Sequence, residues 1–318
     1  MSPSSPVVVL VALLLAVATA CAGSGASRRP SALEDEVKVT GDFGARPTIT
    51  IAAPLEVGSS HSWTPVVGTG PRIRSGSSTI LQLTIADARA GRTVVSTHDA
   101  GQRPLEAGLT DQLFPSLVTA LTDARAGSRV VVASTAADTY GDQGAPQLGI
   151  KAGDSVVLVA DVLSADPTSL EVSPTATGDP KHPGLSSSLL PSRLELEDGK
   201  PSGFDFAGLR KPAKRQSFVL QQGKGSAIDG PKRIVANYLG DVWGAAKPFH
   251  TSYAGKPAKF SIGIGRAVPC WDKGLDGVRA GSRVLLVCPP ASAYGRTAQP
   301  GIPARSTLVF LVDVLGVG

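Results

Sequence analysis

VRAGSRVLLVCPPASAYGRTAQPGIPARSTLVFLVDVL, residues 278–315, repeats with changes an earlier stretch, ARAGSRVVVASTAADTYGDQGAPQLGIKAGDSVVLVADVL, residues 124–163. Arg129 and Arg283 stand 154 positions apart, as do Tyr140 and Tyr294, whereas Asp161 and Asp313 stand 152 apart. One loop therefore differs by two residues. A period this long exceeds the roughly 20–50 residues of a solenoid unit and means two copies of one domain. At 318 residues the chain has room for two domains of roughly 100–150 residues, each with its own core. The differences between the copies are where function should be sought.

Working outward, short β-rich runs separated by turn signals precede both stretches. EVKVTG, PTITIAA and STILQLTIAD lead into the first copy, and RIVANYLGD and AKFSIGIG into the second. Val, Ile and Thr dominate most of them, as strands require. One stretch in each copy departs from that pattern. TDQLFPSLVTALTDA, residues 110–124, has apolar spacing closer to 3.6 than to 2, and PCWDKGLDGV, residues 269–278, stands at the same place in the second copy. The fold class expected is α+β, each copy being an antiparallel sheet with one short helix packed on it. Residues 165–191 are rich in Pro, Ser, Thr and Gly, a linker composition. The domains expected are thus 35–165 and 192–318, joined by a linker over 166–191.

The N-terminus reads as an export signal. Residues 7–20, VVVLVALLLAVATA, form an apolar run of 14, short of the about 20 that span a bilayer as a helix. Residues 1–20 are accordingly read as a signal peptide. Ala18-Thr19-Ala20-Cys21 then resembles a bacterial lipobox, with Ala18 where Leu is usual and no Lys or Arg before the run. The expectation is lipidation at Cys21, a flexible tether over 21–34, and a protein lipid-anchored on the outer face of the cell membrane. The alternative is an ordinary secretory signal. Cys270 and Cys288 are left in a compartment that permits disulfides, where a bridged pair competes with two reduced, buried thiols. Bridging 18 positions would stabilise by about 3 kcal/mol in the chain-entropy model.

The formal net charge is +5, with eight Lys or Arg between Lys200 and Arg233 against Asp205 and Asp229. That run reads as a solvated surface, or as a bias toward anionic lipid headgroups. An exported chain without an aromatic-basic stacking motif argues against nucleic acid as a partner. His61, His98, His182 and His250 show no metal-ligand spacing. The sequence holds no G-x-S-x-G, P-loop or CxxC motif, and no cofactor is expected.

The second copy resembles the FKBP family of peptidyl-prolyl cis-trans isomerases, particularly their exported bacterial members. The resemblance covers about residues 230–318 and rests on VANYLGDVWG, KPFHTSY, AVPCWDKGL, AGSRVLLVCPP, AYG, QPGIP and STLVFLVDVL in the family's order. It implies a strongly bent antiparallel sheet wrapped around a short helix, with an apolar pocket between them. The implied pocket residues are Tyr238, Phe249, Phe260, Ala267, Val268, Trp271, Tyr294 and Phe310. Trp271 would form the floor, and Ile302 would sit in a flap at the QPGIP turn. His250 stands where the family has an aspartate at the pocket rim, and Ala267 where it has Val. Implied partners are proline-containing exported polypeptides, macrolide ligands, and the membrane through the anchor.

The chemistry agrees with the residue types. Rotating an X-Pro bond crosses a barrier of about 20 kcal/mol set by amide resonance. The twisted transition state has lost that resonance and is less dipolar, so an apolar, water-poor pocket favours it over the planar form. Tyr238, Trp243, Phe249, Phe260, Trp271, Tyr294 and Phe310 supply the aromatic surface for such a pocket. The first copy lacks most of it: Leu117 aligns with Trp271, Leu158 with Phe310 and Val94 with Phe249, while Tyr140 remains. The first copy is expected to fold and not to catalyse. The competing function is a pair of non-catalytic modules that hold clients or a partner, for which His250 is the main argument.

Overall fold

A computed structural model describes residues 30–109, 113–167, 179–180, 193–198 and 200–318. The signal peptide, Cys21, the first part of the tether and most of the linker lie outside the described residues. The first domain runs α1 (Pro30–Glu36), β1 (Val37–Thr40), β2 (Thr48–Ile51), β3 (His61–Val66), β4 (Ser78–Asp87), β5 (Arg92–Ser96), β6 (Leu105–Gly108), α2 (Pro115–Leu121), β7 (Arg129–Thr135), α3 (Ala136–Tyr140) and β8 (Ser155–Ala165). The second runs β9 (Asp179–Pro180), β10 (Arg193–Glu197), β11 (Lys200–Asp205), β12 (Gln216–Gln222), β13 (Lys232–Val242), β14 (His250–Thr251), β15 (Ala258–Ile262), α4 (Pro269–Gly274), β16 (Arg283–Cys288) and β17 (Leu308–Val317). Among the described residues no helix is long and apolar enough to cross a membrane.

Each domain is built on one bent antiparallel sheet, and the two sheets have the same plan. The first has the order β3-β7-β8-β4-β5, with β6 also on β4. The second has β12-β16-β17-β13-β14, with β15 also on β13 and β9 added beyond β12. The register repeats as well: Ile85 faces Leu158 where Gly240 faces Phe310. A bidentate ion pair marks the same place twice, buried in the first domain and partly buried in the second. Arg129 reaches Asp161 at 2.6 and 2.7 Å, and Arg283 reaches Asp313 at 2.7 Å through both of its donors.

The central strands β8 and β17 read as nearly continuous apolar runs rather than alternating ones, because both faces of each sheet are covered. On one face of β8, Leu158, Ala160 and Val162 pack under α2. On the other, Val157 and Val159 meet Leu33, Val37 and Leu55 from α1 and the segment around the β1-β2 hairpin. In the second domain Phe310, Val312 and Val314 face α4, while Val309 and Leu311 lie under Phe204 and Leu194 of the β10-β11 hairpin. These covering hairpins form separate two-stranded sheets. The runs EVKVTG and PTITIAA thus belong to the cover of the first sheet. The segment read as tether up to residue 34 already carries the start of α1, with Leu33 buried.

The short helices start where the chain makes them start. Pro115 and Pro269 occupy the first turn, and the preceding Phe114 and Val268 are extended, as a residue before proline prefers. α4 is fastened to β16 by a disulfide between Cys270 and Cys288, whose Cα atoms are 5.6 Å apart.

Candidate functional site

The concave face of the second sheet and α4 enclose a cavity of about 390 Å³ lined by Tyr238, Phe249, Phe260, Arg266, Ala267, Val268, Trp271, Tyr294 and Phe310. β13 contributes Tyr238, β15 contributes Phe260 and β17 contributes Phe310. Trp271 projects from the first turn of α4 and is buried. The rings brace one another edge to face. Trp271 meets Tyr238 at 5.6 Å and Phe310 at 5.4 Å, with interplanar angles of 86° and 87°. Phe260 lies 4.7 Å from Trp271, and Phe249 stands at 85° to Phe310 at 5.9 Å. Such pairs fix ring orientation as well as burying area.

Gly240 explains how two of these rings fit. A Cβ on it would lie 2.6 Å from Cζ of Phe249 and 3.0 Å from Phe310, so any side chain there would displace the wall. Burial, with a smaller contribution from Tyr294, raises the pKa of the Tyr238 phenol, which therefore stays a protonated donor at any working pH. Tyr294 is 40% exposed and stands at the mouth.

Tyr238, Phe249, Phe260, Val268, Trp271, Tyr294 and Phe310, named from the sequence, thus come together. Three residues are placed otherwise. Trp243 is not in the pocket: inward-facing positions on β13 are Tyr238, Gly240 and Val242, and Trp243 packs on the opposite face against Phe206 at 4.9 Å. Ile302 lies in the turn it closes with Gln299, is 6% exposed, packs in the core cluster of Trp271 and Phe310, and is not among the residues lining the cavity. His250 is exposed outside the lining, its ring stacked on Tyr238 at 5.1 Å and 8°. Arg266 lines the cavity and was not singled out; its position directly before the Ala267-Val268 pair was the available signal. Among the described residues no three His, Cys, Asp or Glu side chains gather as a metal set.

Residues 225–315 match the family model described as FKBP-type peptidyl-prolyl cis-trans isomerase. By that match residues 225–315 form an FKBP-type domain. FkpA of Escherichia coli (strain K12) is 41% identical over 101 residues, which cover 31% of this chain and 36% of that protein. The 39 kDa FK506-binding nuclear protein of Drosophila melanogaster is 40% identical over 96 residues, covering 30% and 27% of the two chains. The crystal structure of AtFKBP13 aligns over 34% of this chain and 96% of its own, with 30% identity and a TM-score of 0.30. The chain thus spans about a third or less of the curated relatives it matches.

At the corresponding positions the first domain has no such wall. By strand register, Leu83 replaces Tyr238, Ile85 replaces Gly240, Val94 replaces Phe249 and Ala107 replaces Phe260. Leu117 and Leu158 take the places of Trp271 and Phe310, and all of these pack in or against one core. Phe114, at the position of Val268, turns its ring edge onto Tyr140 at 5.3 Å. Among the described residues the aromatic wall of the second domain is thus replaced in the first by mostly aliphatic side chains that join one core cluster.

Proposed function

We propose that the second domain isomerises X-Pro peptide bonds in exported polypeptides, and that the first domain is a folded, non-catalytic companion. The aromatic cavity carries this reading. A proline ring inserted among Trp271, Phe249 and Phe310 exchanges water for apolar contact, which favours the less dipolar twisted amide over the planar one. Rotation needs no nucleophile and no base. The rings are held by one another and by the disulfide under α4, so little reorganisation accompanies binding. The protonated Tyr238 hydroxyl is a donor available to a substrate carbonyl. FK506, after which the Drosophila relative is named, is proposed as a competing ligand of the same cavity.

The test is a protease-coupled or NMR exchange assay on a short X-Pro peptide. Phe249→Ala or Tyr294→Ala should lower kcat/KM while leaving the thermal transition in place. A folded wild-type chain with no rate above background would remove the enzyme reading. It would favour the second reading, a client-holding module, for which His250 stacked on Tyr238 at the rim speaks.

We also propose attachment to the outer face of the cell membrane through acylation of Cys21. The short apolar run and the adjoining cysteine support it, and two acyl chains suffice for stable anchoring. Cys21→Ser should release the protein from the membrane fraction or leave it unprocessed. Wild-type protein found soluble in the medium, beginning at another residue, would show simple secretion.

A further inference from the structure

β15 faces two ways. Phe260 points into the cavity, while its neighbours Lys259 and Ser261 point toward the first domain. Lys259 Nζ lies 2.8 Å from Asp166 at the end of the first domain. Ser261 accepts a hydrogen bond from Arg233 of β13 at 2.7 Å. Arg233 is only 6% exposed and is the hub of the contact. It reaches Asp166 at 3.0 Å and pairs with Glu106 of β6, while its backbone N–H donates to Ser164 of β8 at 2.9 Å.

The loop after β15 is held in the same way. Arg103 of the first domain donates to the carbonyls of Ile264 and Gly265 at 3.3 and 3.2 Å. Gly265 has φ of +69°, and a Cβ there would lie 2.1 Å from the Arg103 guanidinium, so the glycine makes room for that approach. The carboxylate of Glu106 lies 3.8 Å from Arg266, which lines the cavity. From the other side, Asp272 in the first turn of α4 accepts from the N–H groups of Gly263 and Gly265, both at 2.9 Å. The segment leading to Ala267 and Val268 is therefore clamped between α4 and the first domain.

We propose that the first domain is a positioning element for the isomerase pocket, with Arg103 and Glu106 as the residues that set the wall formed by residues 260–268. This rests on the isomerase reading of that pocket. None of the contacts reaches a reacting atom. They act by fixing where Phe260, Arg266 and Val268 stand, and small displacements of positioning groups are costly in rate. Loss of the aromatic wall in the first copy is then compatible with a continuing role in the activity of the second.

The experiment uses the full chain and four proteins: wild type, Arg103→Ala, Arg103→Lys and Glu106→Gln. Two readouts are taken, kcat and KM on an X-Pro peptide and amide exchange at Gly263 and Gly265. Arg103→Ala and Glu106→Gln are expected to lower kcat/KM about fivefold, the low end of inter-site coupling, chiefly through KM, and to speed exchange in the loop without lowering the melting temperature of the second domain. Arg103→Lys, which keeps a cationic donor, should restore most of both. Unchanged kcat/KM and unchanged exchange in Arg103→Ala and Glu106→Gln would overturn the proposal. If the wild-type chain shows no isomerisation, the function fails, and the exchange readout alone decides whether the first domain holds the loop.

Discussion

The two domains share strand order, register and the Arg–Asp pair, yet one lines a cavity of about 390 Å³ with aromatic rings and the other carries mostly aliphatic side chains at the equivalent described positions. The backbone therefore does not decide which copy has the aromatic wall. Side-chain type at a handful of inward positions does. Tyr238, Gly240 and Phe260 help wall the hollow, whereas Leu83, Ile85 and Ala107 stand at those positions in the first copy, with Phe114 against Tyr140. The sharpest way to break this comparison is to write the first copy's residues into the second. Tyr238→Leu with Phe260→Ala and Phe310→Leu should abolish isomerisation in the full chain, a fall of about a thousandfold or to the uncatalysed rate. Residual catalysis in that folded variant would mean that the first domain is active or that the aromatic set is not the site.

The copies also differ in how the helix is tied to the sheet. Cys270 and Cys288 are bridged, and the same two positions in the first domain are Ser116 and Ser134. There Thr139 links them, 2.9 Å from Ser134 and 3.4 Å from Ser116. A hydroxyl chain of this kind does not constrain the unfolded state, whereas a bridge across 18 residues contributes about 3 kcal/mol. Cys270→Ala with Cys288→Ala, or reduction, should lower the melting temperature of the second domain by roughly 15 °C and leave that of the first unchanged. Equal shifts in both domains would show that they unfold as one unit.

The repeat was legible because its marks are local: turn glycines, the Arg–Asp pair and the β-branched strands recur at a fixed spacing. The pocket was legible because aromatic residues are few, with only 5% of the chain Phe, Trp or Tyr. Trp243 misled for the same reason, since residue type was read without strand parity. Counting in twos from Tyr238 already sends position 243 to the outer face. The β10-β11 hairpin was missed although Asp198-Gly199 is a hairpin-turn signal between Arg193–Glu197 and Lys200–Asp205. Arg233 read as one more charge in a basic run. Its burial between domains depends on two surfaces meeting, which no local pattern encodes.

Those covers lead to a smaller contrast. Asp241 on β13 is 1% exposed beneath the β10-β11 hairpin, and the first copy has Ala86 at that register. Its Oδ1 has no hydrogen-bond partner among the described residues. Burial, with Glu195 adding to it, raises its pKa to about 6 against a weaker opposing bond from the Val242 N–H. The folded state thus favours the protonated acid. The stability this allows is whole below about pH 4 and lost as pH rises through about 6. Asp241→Asn, which keeps a neutral group, should raise the melting temperature of the second domain by roughly 5 °C at pH 8 and barely at pH 4. An equal effect at both values would show that the carboxylate is not the cause.

The smallest effect is expected where the copies meet. Burial alone would raise the pKa of Asp166, but hydrogen bonds from Lys259 and Arg233, the Arg233 charge and the Ser78 N–H together hold it below the ordinary carboxylate value. A depressed folded pKa contributes stability that is present above the unfolded value, about 4, and is lost as pH falls through the folded one. Docking of the domains should therefore be unchanged from pH 7 to 5 and loosen slightly below about pH 4. The probe is amide protection at Arg233, whose N–H bonds Ser164, and at Gly318, whose N–H bonds the Arg233 carbonyl. Protection at these two sites should fall in acid while that of the central strands holds. Asp166→Asn should show the looser state already at pH 7 and lose the pH dependence. If the variant keeps the wild-type acid response, Arg233–Glu106 rather than Asp166 sets the contact, and the two copies are joined mainly through β6 and β13.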